Sequence, residues 1–302
     1  MVPRRSSRLL TALSAAAVAY AFWLAPTSAA LAGALPSTGA TSASSGPLLP
    51  SQDPFYSYSG STPLSQIPPG TVLKERAVDL AVGTTSTPVS AEQLLYRTSG
   101  ELGQPTVTVT TVIAPLGSSS PSRLVAYLSF YDALGAQCDP SYTLQGGDPG
   151  SANEQQTEEE EAIIAGYVAA GFVLTIPDFE GEQLEWTAGQ EAGWDTLDAV
   201  RATESYLGMA SGSPVGLTGY SGGSIAADWA SELAPSYAPQ LDLVGVAEGG
   251  IPVDYAHNLT YINGSSGWLR STNCAPRALA VNFRFAFTNG QTLAVGGKLR
   301  CI

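Results

Sequence analysis

The chain has 302 residues, enough for one large α/β domain or two smaller ones, and 44% of them are hydrophobic, enough to bury a core. Its formal net charge of −13 repels phosphate backbones and argues against nucleic-acid binding. Three cysteines without a C-x-x-C, and a single histidine, His257, argue against a zinc site, and no metal or organic cofactor is implied.

Residues 1–32 read as a secretory signal peptide. Arg4, Arg5 and Arg8 precede an apolar run over residues 9–25, and Ala30-Leu31-Ala32 fits a small-residue cleavage site. The run is slightly short for a span and no stop-transfer pattern follows it, so no stable membrane span is expected after signal cleavage. Export permits disulfides, and the odd set of Cys138, Cys274 and Cys301 suggests one disulfide and one remaining thiol. Residues 33–62 are rich in Ser, Gly, Pro, Thr and Ala without an apolar period. They are expected to form a flexible lead-in.

A core is expected over residues 63–267. Residues 72–82 and 94–99 read as strands, and residues 100–104 as a turn. Residues 106–113 alternate Thr and Val, as a half-buried strand should. Residues 124–130 are more apolar and suit a central strand. A long loop over residues 132–150 carries Cys138. The run Glu158-Glu159-Glu160-Glu161 sits in the first turns of a helix, where the macrodipole favours acids, and reads as a solvated face. An apolar strand follows at residues 172–176, closed by Pro177-Asp178. Residues 193–207 carry a helical stripe of Trp194, Leu197, Val200 and Leu207. Further strands are expected from Pro214 and over residues 241–246. This alternation implies an α/β fold, a mostly parallel sheet with helices on both faces.

Between the strand from Pro214 and a helix-like stretch with Ile225, Ala226, Trp229 and Leu233 stands Gly219-Tyr220-Ser221-Gly222-Gly223. A G-x-S-x-G in a strand–turn–helix context reads as a nucleophile elbow. The turn is strained, and side chains at the glycine positions would collide with the neighbouring strand or helix. Ser221 then stands at a helix start as the candidate nucleophile, with the Gly222 N–H available to an oxyanion. A serine of this kind needs a base, and an acid to orient it, in the chain order Ser, Asp or Glu, His. His257, in Asp254-Tyr255-Ala256-His257-Asn258, comes just after the next strand with no acid delivered before it. It reads as a surface or cap histidine.

Several ordered stretches carry a family resemblance. They are residues 124–127 leading to Phe130-Tyr131-Asp132-Ala133-Leu134 and Cys138-Asp139-Pro140-Ser141-Tyr142, then Ile176-Pro177-Asp178-Phe179-Glu180-Gly181, then Leu197-Asp198-Ala199-Val200-Arg201-Ala202, the elbow itself, and Gly249-Gly250-Ile251-Pro252-Val253-Asp254. Together, over about residues 70–267, they resemble the secretory lipase family, which includes the fungal lipase A enzymes. The resemblance implies an α/β-hydrolase fold. It puts the nucleophile on Ser221 and the oxyanion site on the Gly222 backbone and Asp132, which would share one sheet edge with the elbow. Asp178 precedes the serine, the wrong order for a triad acid in this fold, and suits a structural role. Cys138 matches the family's disulfide cysteine, with Cys301 preferred to Cys274 as its partner. The implied substrate is a lipid or other ester met at a lipid–water interface.

Past residue 267 the resemblance fades. Residues 268–302 read as a divergent tail in place of the cap and final strands, so the cap and last strands are expected to be incomplete, without the segment that delivers the acid and histidine. The expectation is a secreted serine hydrolase of carboxylic esters, a triacylglycerol lipase or esterase working through a Ser221 acyl-enzyme. The alternative is a catalytically inactive, truncated hydrolase scaffold. Either way an apolar strand edge should be left uncovered.

Overall fold

The computed structural model describes residues 46–82, 85–86, 89–117, 123–132, 135–147, 152–210 and 212–254, together with two further strands at Phe283–Ala286 and Thr292–Val295. His257, Cys274 and Cys301 lie outside the described residues, as does most of the 268–302 tail.

In chain order the strands are β1 (Val72–Ala77), β2 (Ala81–Val82), β3 (Thr85–Ser86), β4 (Ser90–Ser99), β5 (Pro105–Ala114), β6 (Leu124–Leu128), β7 (Val173–Pro177), β8 (Pro214–Tyr220), β9 (Asp242–Gly249), β10 (Phe283–Ala286) and β11 (Thr292–Val295). The α-helices are α1 (Pro140–Thr143), α2 (Ala152–Ala169), α3 (Gly189–Leu207) and α4 (Gly222–Tyr237). Seven strands form one sheet in the order β1-β4-β5-β7-β6-β8-β9. β4, β6, β7, β8 and β9 run one way, while β1 and β5 run the other. The two remaining pairs, β2–β3 and β10–β11, are small antiparallel ladders.

Strand β6 shows why helices must cover both faces. Its Leu124, Ala126 and Leu128 join the cluster that includes Leu197 and Val200 of α3 and Ala226, Ala227 and Ala230 of α4. Its Val125 and Tyr127 join the opposite cluster with Ile164 of α2. A central strand apolar at every position can be buried only this way.

Three local expectations are corrected. The Thr/Val alternation over residues 106–113 is buried on both faces, because the threonine side is satisfied internally. The Thr108 hydroxyl donates to the Asp178 carbonyl at 2.8 Å, and the Thr110 and Thr175 hydroxyls pair at 2.7 Å. Buried hydroxyls with partners cost little. Within the lead-in read over residues 33–62, the described residues 46–62 carry 3-10 turns at Pro50–Gln52 and Pro54–Tyr56. Phe55, Tyr56 and Tyr58 cover Leu95, Val107 and Val109 on the sheet. Asp53 pairs with Arg76 at 2.6 Å, and that guanidinium lies 4.1 Å from the Phe55 ring centroid. The polar composition hid three aromatic anchors. The long loop over residues 132–150 likewise holds a 3-10 turn at Ala136–Cys138 and the short α1.

Acids join the hairpin turn after β4 to the start of α3. Glu191 Oε2 accepts from the Glu101 N–H at 3.0 Å, and Glu101 Oε2 accepts from the Glu191 N–H at 2.9 Å. Burial, reinforced by the charge of Glu185, pushes the Glu191 carboxyl up to about 9 from an ordinary value of 4.5. The folded chain therefore holds a proton that the unfolded chain releases. This stability is fully present below about 4.5 and is lost as pH rises toward 9. Thermal scans from pH 5 to pH 9 should show a falling Tm, with a shallower fall in Glu191→Gln.

β9 is the outer strand of the sheet among the described residues, and Val244 and Val246 on it are 63% and 41% exposed. An apolar edge of this kind templates strand pairing between molecules. Val244→Lys should lower light scattering at a given protein concentration while leaving the melting transition in place. Unchanged scattering would place the sticky surface elsewhere.

Candidate active site

The sheet brings three loops to one edge. β8 ends at Tyr220 and α4 begins at Gly222, so Ser221 alone makes the turn between them. Its φ of 51° and ψ of −117° lie where non-glycine residues rarely sit, a strain of about 1–3 kcal/mol. The surroundings hold it there. The Ser221 N–H donates to the Gly249 carbonyl at the end of β9 at 3.0 Å, and the Ser221 carbonyl accepts from the Ser224 N–H at 3.0 Å. The Ser224 hydroxyl adds a second bond to that carbonyl at 2.5 Å. Ser221 remains partly accessible, while Gly222 and Gly223 are buried.

The glycines are a steric necessity. A Cβ on Gly219 would overlap the Gly223 carbonyl, and one on Gly223 would overlap the Leu128 carbonyl at the end of β6. A Cβ on Gly222 would overlap the Asp132 carboxyl and crowd the Tyr131 carbonyl. Gly222 is thus the floor on which the loop after β6 rests, and Asp132 sits against the N-terminal end of α4. The first N–H groups of a helix lack partners within it and face that carboxyl's neighbourhood. The structure therefore brings Ser221, Gly222 and Asp132 together. Tyr220 is 61% exposed, with its ring edge-on to Phe130 at 6.2 Å between centroids.

Asp132 is partly buried, and burial lifts its carboxyl to about 6, opposed by a hydrogen bond from the Trp186 indole N–H to Oδ1 at 2.7 Å. Its loop is pinned from both sides. The Tyr131 hydroxyl accepts from the Glu180 N–H at 3.1 Å, and the Tyr131 ring packs at a tilt of 56° against Phe179, 4.9 Å between centroids. On the other side, Glu160 of α2 takes the Ser129 hydroxyl at 2.5 Å, the Tyr127 hydroxyl at 3.0 Å and the Phe130 N–H at 3.1 Å. Glu160 is 2% exposed, and burial pushes it up to about 7 against those three donors. The acid run, read as a solvated face, thus contains one carboxylate that clamps the approach to Asp132. The available signal was helical spacing, since Thr157, Glu160 and Ile164 share a buried face.

Asp178 has the structural role expected of it. Its Oδ1 accepts from the Ser141 N–H at 2.9 Å and its Oδ2 from the Ser141 hydroxyl at 2.6 Å, which anchors α1 under the sheet. Burial raises its carboxyl to about 7. Cys138 is fully buried in the core cluster.

The chain is similar to known lipases. Residues 148–269 match the family model described as secretory lipase. A Mycobacterium tuberculosis protein described as a probable inactive lipase is 40% identical over 224 residues, 72% of this chain and 49% of that protein. Lipase A of Arthroderma benhamiae is 38% identical over 214 residues, 68% of this chain and 45% of that protein. The crystal structure of Candida antarctica lipase A in its closed state superposes with a TM-score of 0.66 at 33% identity, covering 73% of this chain and 50% of that one. The chain spans about half the length of the curated relatives it matches. With an α/β-hydrolase sheet, an elbow in place and this set of relatives, the chain belongs to the secretory lipase family.

Proposed function

We propose that the site is a serine ester-hydrolase centre in which Ser221 is the nucleophile and the Gly222 N–H and Asp132 form the oxyanion site. The observation that carries this reading is the strained Ser221 backbone, held at a strand-to-helix turn directly beside Asp132. In the reaction, the Ser221 oxygen bonds to the ester carbonyl carbon as its proton passes to a base. The carbonyl pair moves onto oxygen, and the two donors stabilise that charge. Collapse breaks the bond to the alcohol, which leaves with a proton. Water then hydrolyses the acyl-enzyme by the same steps and frees the acid. The exposed Tyr220 ring, and Ile251 and Val253 just past β9, supply apolar surface suited to an acyl chain. Relatives named secreted triacylglycerol lipases, such as one from Malassezia restricta, support a lipid or other ester as substrate. They also support export, with residues 1–32 as the leader. A disulfide from Cys138 to Cys301 is part of the same reading.

A second reading is an inactive hydrolase scaffold. Two observations favour it: the sole histidine, His257, stands out of the expected order after the elbow, and one relative is described as a probable inactive lipase. Incubation with a fluorophosphonate probe and a short-chain p-nitrophenyl ester separates the two. The hydrolase reading expects labelling and turnover that vanish in Ser221→Ala, and His257→Ala tests that residue as the base. No labelling of the intact chain at any pH would sink the hydrolase reading and support the scaffold.

A nucleophile kept in a strained turn also predicts a trade of stability for function. Ser221→Gly should raise the unfolding free energy in urea by about 1 kcal/mol while abolishing labelling, because glycine adopts that φ without strain. A loss of stability would mean that the turn is relaxed.

A further inference from the structure

The segment carrying Trp186, like the elbow, holds non-glycine residues at positive φ. Among the described residues, the non-glycine residues with positive φ are Leu184 at 54°, Thr187 at 66° and Ser221. Leu184 and Thr187 flank Trp186, and neither is a residue type that tolerates this region, least of all the β-branched threonine. The loop is held in that shape by three main-chain bonds: Leu184 N–H to the Gly181 carbonyl at 3.1 Å, Glu185 N–H to the Glu180 carbonyl at 2.8 Å, and Ala188 N–H to the Glu185 carbonyl at 2.9 Å. The result of the distortion is a specific contact. The Trp186 indole N–H reaches Asp132 Oδ1 at 2.7 Å, the same oxygen that a Cβ on Gly222 would strike. Strain concentrated on both sides of one side chain, ending in one short hydrogen bond beside the elbow, marks a positioning device.

We propose that Trp186 is a positioning residue for Asp132. Its N–H fixes Oδ1 against the Gly222 end of α4, which leaves Oδ2 to carry the proton of the neutral acid and to donate it as a hydrogen bond to the oxyanion. This inference rests on the ester-hydrolase reading of the site. An ionised Asp132 would oppose a developing oxyanion, and a freely rotating one would present either oxygen. The indole removes the rotation by occupying one oxygen with a donor that has no acceptor capacity.

The chemistry sets a pH window. Acids stand on the elements around Asp132: Glu180 in the turn bound by Tyr131, Glu185 beside the indole, and Glu160 behind the loop. The Asp132 carboxyl is raised chiefly by burial and lowered by the indole N–H. Asp132 is thus neutral and able to donate below about 6, and loses that ability as pH rises through it.

Two measurements on the full chain test the proposal. In proton–nitrogen NMR spectra the Trp186 indole resonance should move with pH, with a midpoint near 6, and stay flat in Asp132→Asn. In Trp186→Phe, which keeps a ring but lacks the donor, the Asp132 carboxyl carbon should titrate about half a unit to one unit higher. Fluorophosphonate labelling of Ser221 at pH 5 should slow in the same variant on the order of tenfold, and its decline with rising pH should shift with the carboxyl. An indole resonance that ignores pH, or an Asp132 midpoint unchanged in Trp186→Phe, overturns the proposal, and the first needs no variant at position 186. Absence of labelling in the wild type overturns the hydrolase reading alone, since the titrations stand without turnover.

Discussion

The structure depends on a crowding of backbone at the end of β8. The Gly223 Cα faces the Leu128 carbonyl, the Gly222 Cα faces the Asp132 carboxyl, and Gly219 faces the Gly223 carbonyl, each too closely for a side chain. This interlock decides where β6, β8 and α4 meet, and forces Ser221 into a conformation it would not choose. The sheet register then follows. β6 lies between β7 and β8 so that its C-terminal end, and with it Asp132, arrives above the elbow. The bond from the Ser221 N–H to the Gly249 carbonyl ties β9 into the same knot. Chain segments far apart in sequence thereby converge at the carboxyl ends of parallel strands, where sheets of this kind leave room for ligands.

Around that knot the loops are fastened by carboxylates more than by ion pairs. Glu160 holds the loop after β6, Asp178 holds α1, and Glu191 holds the hairpin turn to α3. Each binds hydroxyls or main-chain N–H groups and is pushed upward by burial. Two ion pairs occur among the described residues, Asp53 with Arg76 and Asp198 with Arg201. A buried acid that stays neutral needs no countercharge and avoids the desolvation cost of an ion. The consequence is that these fastenings are strongest at low pH and weaken as the buried carboxyls ionise.

The sequence, read alone, revealed much of this because its signals are local. The strand–turn–helix order at the elbow follows from the apolar run after Pro214, the glycines, and the stripe carrying Ile225 and Trp229. The strands over residues 124–130 and 172–176 announced themselves by apolar content. What stayed hidden was non-local. Helical spacing puts Glu160 on the face of Thr157 and Ile164, but what a buried glutamate would bind there depends on Ser129 and Tyr127 lying across from α2. The threonines of β5 looked solvated until Thr175 and the Asp178 carbonyl were placed opposite them. The lead-in looked loose because three aromatic anchors were diluted by small polar residues.

The sequence by itself determined that Ser221 stands in an elbow, that Gly219 and Gly223 must be glycine, and that the chain resembles the secretory lipases, since each rests on residue type and short-range order. Only the tertiary structure decided that Trp186 reaches Asp132. That contact joins a strained turn before α3 to the loop after β6, and no spacing along the chain encodes a hydrogen bond between two loops until the sheet has set the distance between them.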